Sequence, residues 1–256
     1  RVFTTETRDK KTEVVTAYNI ATGDQLWQVQ WSGAMTVPFF AASNGSWIRA
    51  TPAADDVSIF VVGMQDVLVA LDQATGDESW RIDFPNDHGA AAPKFGSASS
   101  PMVDGDAIYA QMGGGFTKID KGTGQVRWTA AKDAGGMSGG AFSSPSIGTT
   151  DGQRIAIVQT REELKGISLD AGKELWSQPI QAFRGMNILT PVTYKDKVFT
   201  SAHSGRSQLW QVSDNTDGIL KEVWKDKSQA YMSSPVVVDN ALYLHLKNQR
   251  MQCLNL

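Results

Sequence analysis

The chain of 256 residues has few of the features that usually announce chemistry. A single cysteine, Cys253, excludes an internal disulfide, a CxxC pair and a multi-cysteine zinc site. The three histidines, His88, His203 and His245, lie far apart in different sequence contexts. Net charge is small: 24 basic against 27 acidic residues leave −3. That balance lacks the electrostatic bias of a nucleic-acid binder. No run approaches the roughly 18 apolar residues that span a bilayer, and Arg1-Val2-Phe3-Thr4 has no signal-peptide core. Any targeting segment or lipid anchor is therefore placed outside this chain. Helical periodicity is missing as well. With 41% hydrophobic residues, a soluble protein with a substantial core is expected.

What is present is periodic. Segments ending in tryptophan recur as AYNIATGDQLW, ALDQATGDESW, KIDKGTGQVRW and ISLDAGKELW, with a weaker fifth copy. Their tryptophans, Trp27, Trp80, Trp128, Trp176 and Trp224, stand 53, 48, 48 and 48 residues apart, a period suited to propeller blades or solenoid units. A second marker runs in phase, because Pro52, Pro101, Pro145, Pro191 and Pro235 each open an alternating stretch. Between the anchors, short β-branched or aromatic runs are separated by turn pairs such as Asp104-Gly105 and Asp239-Asn240. Each unit thus reads as four strands, A to D, with the tryptophan on D.

The C–D turn has a chemical logic. Asp72, Asp120 and Asn19 can accept hydrogen bonds from the turn that follows them. Gly23, Gly76, Gly124 and Gly172 supply the positive φ of a tight turn. The five repeat tryptophans are large enough to fill the wedge between sheets, and their N–H groups need partners. Tryptophans and glycines together are read as structural.

These motifs resemble the repeat of the quinoprotein-type (PQQ-like) β-propellers, in which a blade reads Ala-Leu-Asp-x-x-Thr-Gly-x-x-x-Trp. The resemblance covers almost the whole chain. That family embraces pyrroloquinoline-quinone alcohol dehydrogenases, the propeller lipoprotein of the outer-membrane β-barrel assembly machinery, and compact bacterial members of unknown role. It implies an all-β fold of four-stranded antiparallel blades. About six blades are represented, the first without strand A and the last without strand D. A single propeller domain over 1–256, truncated at both ends and part of a seven- or eight-bladed ring, is the expectation.

In propellers the loops from strand D to the next strand A gather at one end of the blades and carry individual function. Here they are 28–50, 81–99, 129–143, 177–189 and 225–233. The gap from tryptophan to proline falls from 25 through 21, 17 and 15 to 11 residues, so length varies at this end while the blades keep their period. Phe39, Trp47, Arg49, His88, Phe95, Phe142, Arg184 and Tyr231 form the candidate binding surface, with Trp31, Phe40, Lys94, Met137, Phe183, Met186 and Met232 beside them. Rings and thioethers suit an apolar or extended peptide, with the arginines anchoring its edge. The same rings can instead cap the blade cores beneath them.

Other motifs lead nowhere chemical. Ser213-Asp214-Asn215-Thr216-Asp217-Gly218 begins like a calcium loop, but position 12 is Trp224, so no bidentate Glu closes it. Gly113-Gly114-Gly115 and the Gly135-Gly136…Gly139-Gly140 stretch lack the strand-to-helix setting of a phosphate loop. Cys253 alone cannot match the vicinal disulfide of the quinone dehydrogenases, and neither their calcium ligands nor their base can be placed. The resemblance therefore implies a non-catalytic scaffold or protein-binding module of the bacterial periplasm or cell envelope, with no cofactor and with protein partners. The alternative is a quinone- and calcium-dependent sugar or alcohol dehydrogenase.

Overall fold

Alternation of β-branched and polar residues between Gly- and Asp-containing turns leaves each segment one way to bury its apolar side, as a strand paired to its sequence neighbours. The computed structural model describes residues 1–45, 47–133, 139–150, 152–212, 220–230 and 232–256. Tyr231, Met137, Gly135-Gly136 and the Ser213–Gly218 motif lie outside them. The described residues fold as two compact units, Arg1–Gly140 and Ala141–Leu256.

The first unit holds three antiparallel sheets. Strands β1 (Val2–Arg8), β2 (Thr12–Tyr18) and β3 (Gln25–Ser32) form a three-stranded meander. The next two blades are four-stranded: β4 (Ala53–Ala54), β5 (Ser58–Val62), β6 (Val67–Asp72) and β7 (Glu78–Asp83), then β8 (Met102–Asp104), β9 (Ala107–Gln111), β10 (Phe116–Asp120) and β11 (Val126–Ala130). A single helical turn, α1 (Phe84–His88), follows β7. Its N-cap is Asp83, whose carboxylate accepts from the Asn86 N–H, and Gly89 closes it in the left-handed region. Sheets pack face to face: Val15, Ala17 and Trp27 meet Ile59, Val61 and Leu71, and Phe60, Leu68 and Ile82 meet Ile108, Met112 and Ile119.

The second unit repeats the plan. Its sheets are β12 (Ser146–Thr150), β13 (Gln153–Gln159), β14 (Glu163–Ser168) and β15 (Glu174–Pro179); β16 (Val192–Tyr194), β17 (Lys197–Ser201), β18 (Ser207–Gln211) and β19 (Lys221–Asp226); and β20 (Val236–Val238), β21 (Ala241–His245) and β22 (Met251–Asn255). Ile155, Ile157 and Trp176 pack on Val198 and Trp210, and Phe199 and Leu209 on Leu242 and Leu244. The chain is all-β with six blades among the described residues, the first and last three-stranded.

Every C–D strand pair carries a bulge immediately before its tryptophan. Ala17 pairs Trp27 but Tyr18 pairs Gln25, and the same skip recurs at Ala70/Leu71, Lys118/Ile119, Gly166/Ile167 and Leu209/Trp210. A bulge re-aims the next side chain, and the rings of Trp27 and Trp80 reach the next blade in this way. The skipped residues Leu26, Leu175 and Val223 are left exposed despite being apolar.

In two of the turns before the bulges the aspartate that opens the turn ties it. Asp72 Oδ1 accepts from the N–H groups of Ala74 and Thr75 and from the Thr75 hydroxyl, and Asp120 Oδ1 does the same with Gly122 and Thr123. Asn19 Oδ1 accepts from Ala21 N–H. Gly23, Gly76, Gly124 and Gly172 all have positive φ. Tryptophan N–H groups close the seams: Trp27 donates to the Gln73 carbonyl at 3.1 Å, Trp80 to Lys121 at 3.0 Å and Trp224 to Asn255 at 3.0 Å. Trp176 is buried within its unit, and Trp128 packs on Tyr109 and Phe116.

Candidate functional site

In the first unit the long loop after β3 folds over itself. Pro38 leads into a 3-10 turn, Phe39–Asn44, which Gly45 terminates at φ +79°. The loop presents Phe39 at 90% exposure, with Phe40 and Trp47 half exposed. Phe39 meets Phe40 edge-on at 5.5 Å, and Phe40 meets Phe95 from the next D–A loop at 6.0 Å. Two loops about 50 residues apart thus share one row of rings. Trp47 lies over Gly45, where a β-carbon would fall inside its ring. Arg49 donates from Nη2 to the Gly45 carbonyl at 2.7 Å, and burial lowers its pKa. Its first job is thus to hold the loop. His88 ends α1 with its ring against Phe84 at 5.4 Å and its edge in solvent.

Beneath these loops sit two buried carboxylates. Glu13 of β2 accepts from the Met64 N–H at 2.7 Å through Oε1 and from the Trp31 Nε1–H at 2.8 Å through Oε2. Asp66 accepts from the Ser97 hydroxyl at 2.8 Å and the Gly113 N–H at 2.9 Å. Met64 links the two, because its carbonyl accepts from Ser97 N–H at 3.1 Å. Burial raises the pKa of both groups, against the opposing pull of those hydrogen bonds.

In the second unit the loop after β15 is short and cationic. Arg184 adopts φ +52°, a conformation that costs a non-glycine residue on the order of 1–2 kcal/mol, and its guanidinium lies 5.1 Å over the Phe183 ring. Phe183 is 49% exposed and stands edge-on to His203 at 5.8 Å. Arg161 supports the loop from the β13–β14 turn, donating to the Arg184 carbonyl at 2.7 Å while its guanidinium covers Phe142 at 4.7 Å. Burial first, then the positive charge of Lys247, lowers the His203 pKa.

The structure therefore brings Phe39 and Phe95 together through Phe40, sets Trp47 and Arg49 in the same loop, and puts Arg184 on Phe183. Phe142 is half-buried under Arg161, and Tyr231 lies outside the described residues. Sequence reading missed the parts played by Arg161, Glu13 and Asp66, which stand in or beside B–C hairpins, outside the D–A loops. Arg161 meets a backbone carbonyl, and Glu13 and Asp66 each meet a backbone N–H and one side chain well separated in sequence, so no local motif reveals them. Chemically the surfaces offer exposed rings rimmed by guanidinium groups. Among the described residues no group of three or more His, Cys, Asp or Glu is arranged to hold a metal, and no helix is long and apolar enough to cross a membrane.

Comparison with known proteins gives a consistent picture. The family model described as outer membrane protein assembly factor BamB matches residues 11–256. The chain is 25% identical over 245 residues, 94% of its length, to the outer membrane protein assembly factor BamB of Shewanella oneidensis, and 24% identical over 151 residues, 59% of its length, to that of Salmonella typhimurium. It spans 56% and 35% of those two relatives. In three dimensions it resembles BamB from Moraxella catarrhalis with a TM-score of 0.66 at 14% identity, covering all of this chain and 73% of that one; this likeness carries the propeller fold.

Proposed function

Since the chain belongs to the family of the outer membrane protein assembly factor BamB, we propose that it is a non-catalytic β-propeller scaffold of the bacterial periplasm or cell envelope that docks protein partners through its exposed D–A loops. The partners are proteins of outer membrane assembly, the process for which its curated relatives are named. One observation carries the reading: the row Phe39–Phe40–Phe95, with Phe39 90% exposed, is an apolar surface that a folded protein leaves open at an interaction site. Arg184 over Phe183 supplies the second unit with a cation beside an exposed ring, the pairing enriched where proteins meet.

The balanced charge favours protein over nucleic acid as the partner class. Relatives that are assembly factors favour the scaffold over the quinone-dependent dehydrogenase. The scaffold reading requires neither quinone nor calcium.

The test compares recovery of outer membrane assembly proteins from envelope extract by the native protein and by a Phe39→Ala/Trp47→Ala/Phe95→Ala variant of unchanged melting temperature. Loss of recovery is expected. Equal recovery would remove the first unit's loops from the interface, and a parallel Phe183→Ala/Arg184→Ala variant reads the second unit independently.

A further inference from the structure

We propose that Glu13 is an acid-released latch for loop 33–50, and that Asp66, its counterpart one blade further on, is a latch that acid leaves closed. The consequence for docking rests on the reading of the aromatic loops given above, whereas the latch itself is a property of the free protein.

The difference lies in what each carboxylate touches. Glu13 is fully buried, and its two oxygens face two N–H donors that have nothing to accept with, Met64 N–H and Trp31 Nε1–H. Gly33 and Gly63 lie so close that a β-carbon on either would come within 2.4 Å of Oε2. Glu13 therefore ties the point where loop 33–50 leaves β3 to the β5–β6 turn of the next blade. The same departure point is tied from the other side, where Gly33 and Ala34 donate to the Lys11 carbonyl and Gln65 Nε2 donates to the Ala34 carbonyl. A proton on either Glu13 oxygen adds an O–H that neither partner can accept and turns a carboxylate oxygen into the weaker acceptor of a carboxylic acid, so one of the two tethers is weakened.

Asp66 meets one N–H, from Gly113, and one hydroxyl, from Ser97. A hydroxyl rotates. When Asp66 takes up a proton on Oδ1, the Ser97 oxygen accepts it, Oδ2 keeps the Gly113 N–H, and both links persist with one reversed in direction.

The charged surroundings of the two sites also differ. Facing Glu13 are neutral Trp31 from β3, Gly63 and Met64 from the β5–β6 turn, and the Arg81 guanidinium from β7, itself paired with Glu78 and resting 5.6 Å from the Trp31 ring centre. Asp66 feels the negative charges of Asp83 and Asp133. Burial is the largest influence on both and raises both pKa values, so proton uptake starts at higher pH than for a free carboxyl. The linkage sign matters: an acid whose folded pKa is raised contributes stability that is present below the unfolded value and is lost as pH rises through the folded one. Protonation of Glu13 thus loosens the loop's departure point, which the Lys11 and Gln65 links still hold, without unfolding the blades.

The experiment is a pH titration of the ¹⁵N-labelled chain from neutral to about pH 4, below the ordinary Glu value of about 4.3, following the indole N–H of Trp31 and the amides of Met64 and Gly113. Trp80, whose indole donates to a backbone carbonyl, is the control for an intact fold. Trp31 and Met64 are expected to shift together with one midpoint above the ordinary Glu value. Exchange of the Met64 amide or of the Trp31 indole N–H, corrected for the intrinsic pH dependence, is expected to speed up at least about tenfold, the loss of one buried hydrogen bond, while Gly113 stays protected. Glu13→Gln at neutral pH should reproduce the loss of one of the two Glu13 links, and Asp66→Asn should leave Gly113 protected, because the amide can donate to Ser97 and accept from Gly113. A Trp31 indole and a Met64 amide that both stay unmoved while Trp80 keeps its native position would overturn the latch, as would Glu13→Gln in which both remain hydrogen-bonded as in the wild type. Loss of Gly113 protection in Asp66→Asn would overturn the contrast. Should Glu13→Gln fail to fold, the wild-type titration alone decides. No partner is present in any arm, so failure of the docking reading registers only in the recovery experiment.

Discussion

A β-carbon built on Gly76 would stand 2.8 Å from Cδ2 and Cε3 of Trp27, so the tryptophan of one blade rests directly on the turn glycine of the next. Gly124 and Trp80 repeat the arrangement. Gly76 is thus required twice, for its φ of +82° and for the ring above it. Gly23 has φ +77° but open space around it. Gly23→Ala is expected to cost about 1–2 kcal/mol, the strain of the left-handed region alone, and Gly76→Ala about 1–3 kcal/mol more from overpacking against the ring. Urea unfolding of both variants checks this, and equal midpoints would contradict the contact.

Trp27 is held by burial and by its N–H to the Gln73 carbonyl. Trp27→Ala should cost about 3–5 kcal/mol through the cavity it leaves. Trp27→Phe keeps much of the apolar surface and forfeits the hydrogen bond, worth about 0.5–1.5 kcal/mol. Two denaturation curves suffice, and an alanine variant no worse than the phenylalanine variant would mean that the ring does not fill the seam.

The blades were legible because their signals are local: the Asp-x-x-Thr-Gly turn, the tryptophan and the proline lie within one repeat, and the period repeats the tryptophan and the proline five times while the turn recurs at Asp72 and Asp120 and, with Asn19 for the aspartate, once more. The bulge before each tryptophan was not legible, because Leu26, Leu175 and Val223 look like ordinary inward residues until the register is known. Long-range polar links escaped for a related reason. Glu13 and Met64 are 51 residues apart, and the acceptor's partner is a backbone N–H that any residue would supply. Loop composition pointed to Phe39 and Phe95, but their connection runs through Phe40, whose place between two loops is a matter of tertiary packing.

Asp120 is held at a pKa of about 2, first by the Arg127 guanidinium at 2.6 Å and then by the Thr123 hydroxyl and N–H. Because this value lies below the unfolded one, the stability it contributes is present above the ordinary carboxylate range and is lost as pH falls toward 2. Carboxyl-carbon NMR should place the Asp120 midpoint near 2 and move it upward in Arg127→Ala. A midpoint that is the same in both proteins would remove Arg127 as the cause.

A scaffold should not turn over sugars or alcohols when offered pyrroloquinoline quinone and calcium. A dye-linked assay of the purified chain with both added is expected to match the buffer blank. Turnover that rises with quinone concentration and saturates would show an enzyme instead.

The most direct test of docking through the D–A loops is site-specific photo-crosslinking in the living envelope. A photoreactive residue is placed at Phe39, Trp47 or Phe183, and in the controls at Ile20 or Val57, which are 76% and 65% exposed in turns at the opposite strand ends. Crosslinks to outer membrane assembly proteins are expected from the three loop positions and not from the two controls; equal yields from all five, or crosslinks from Ile20 and Val57 alone, would contradict it.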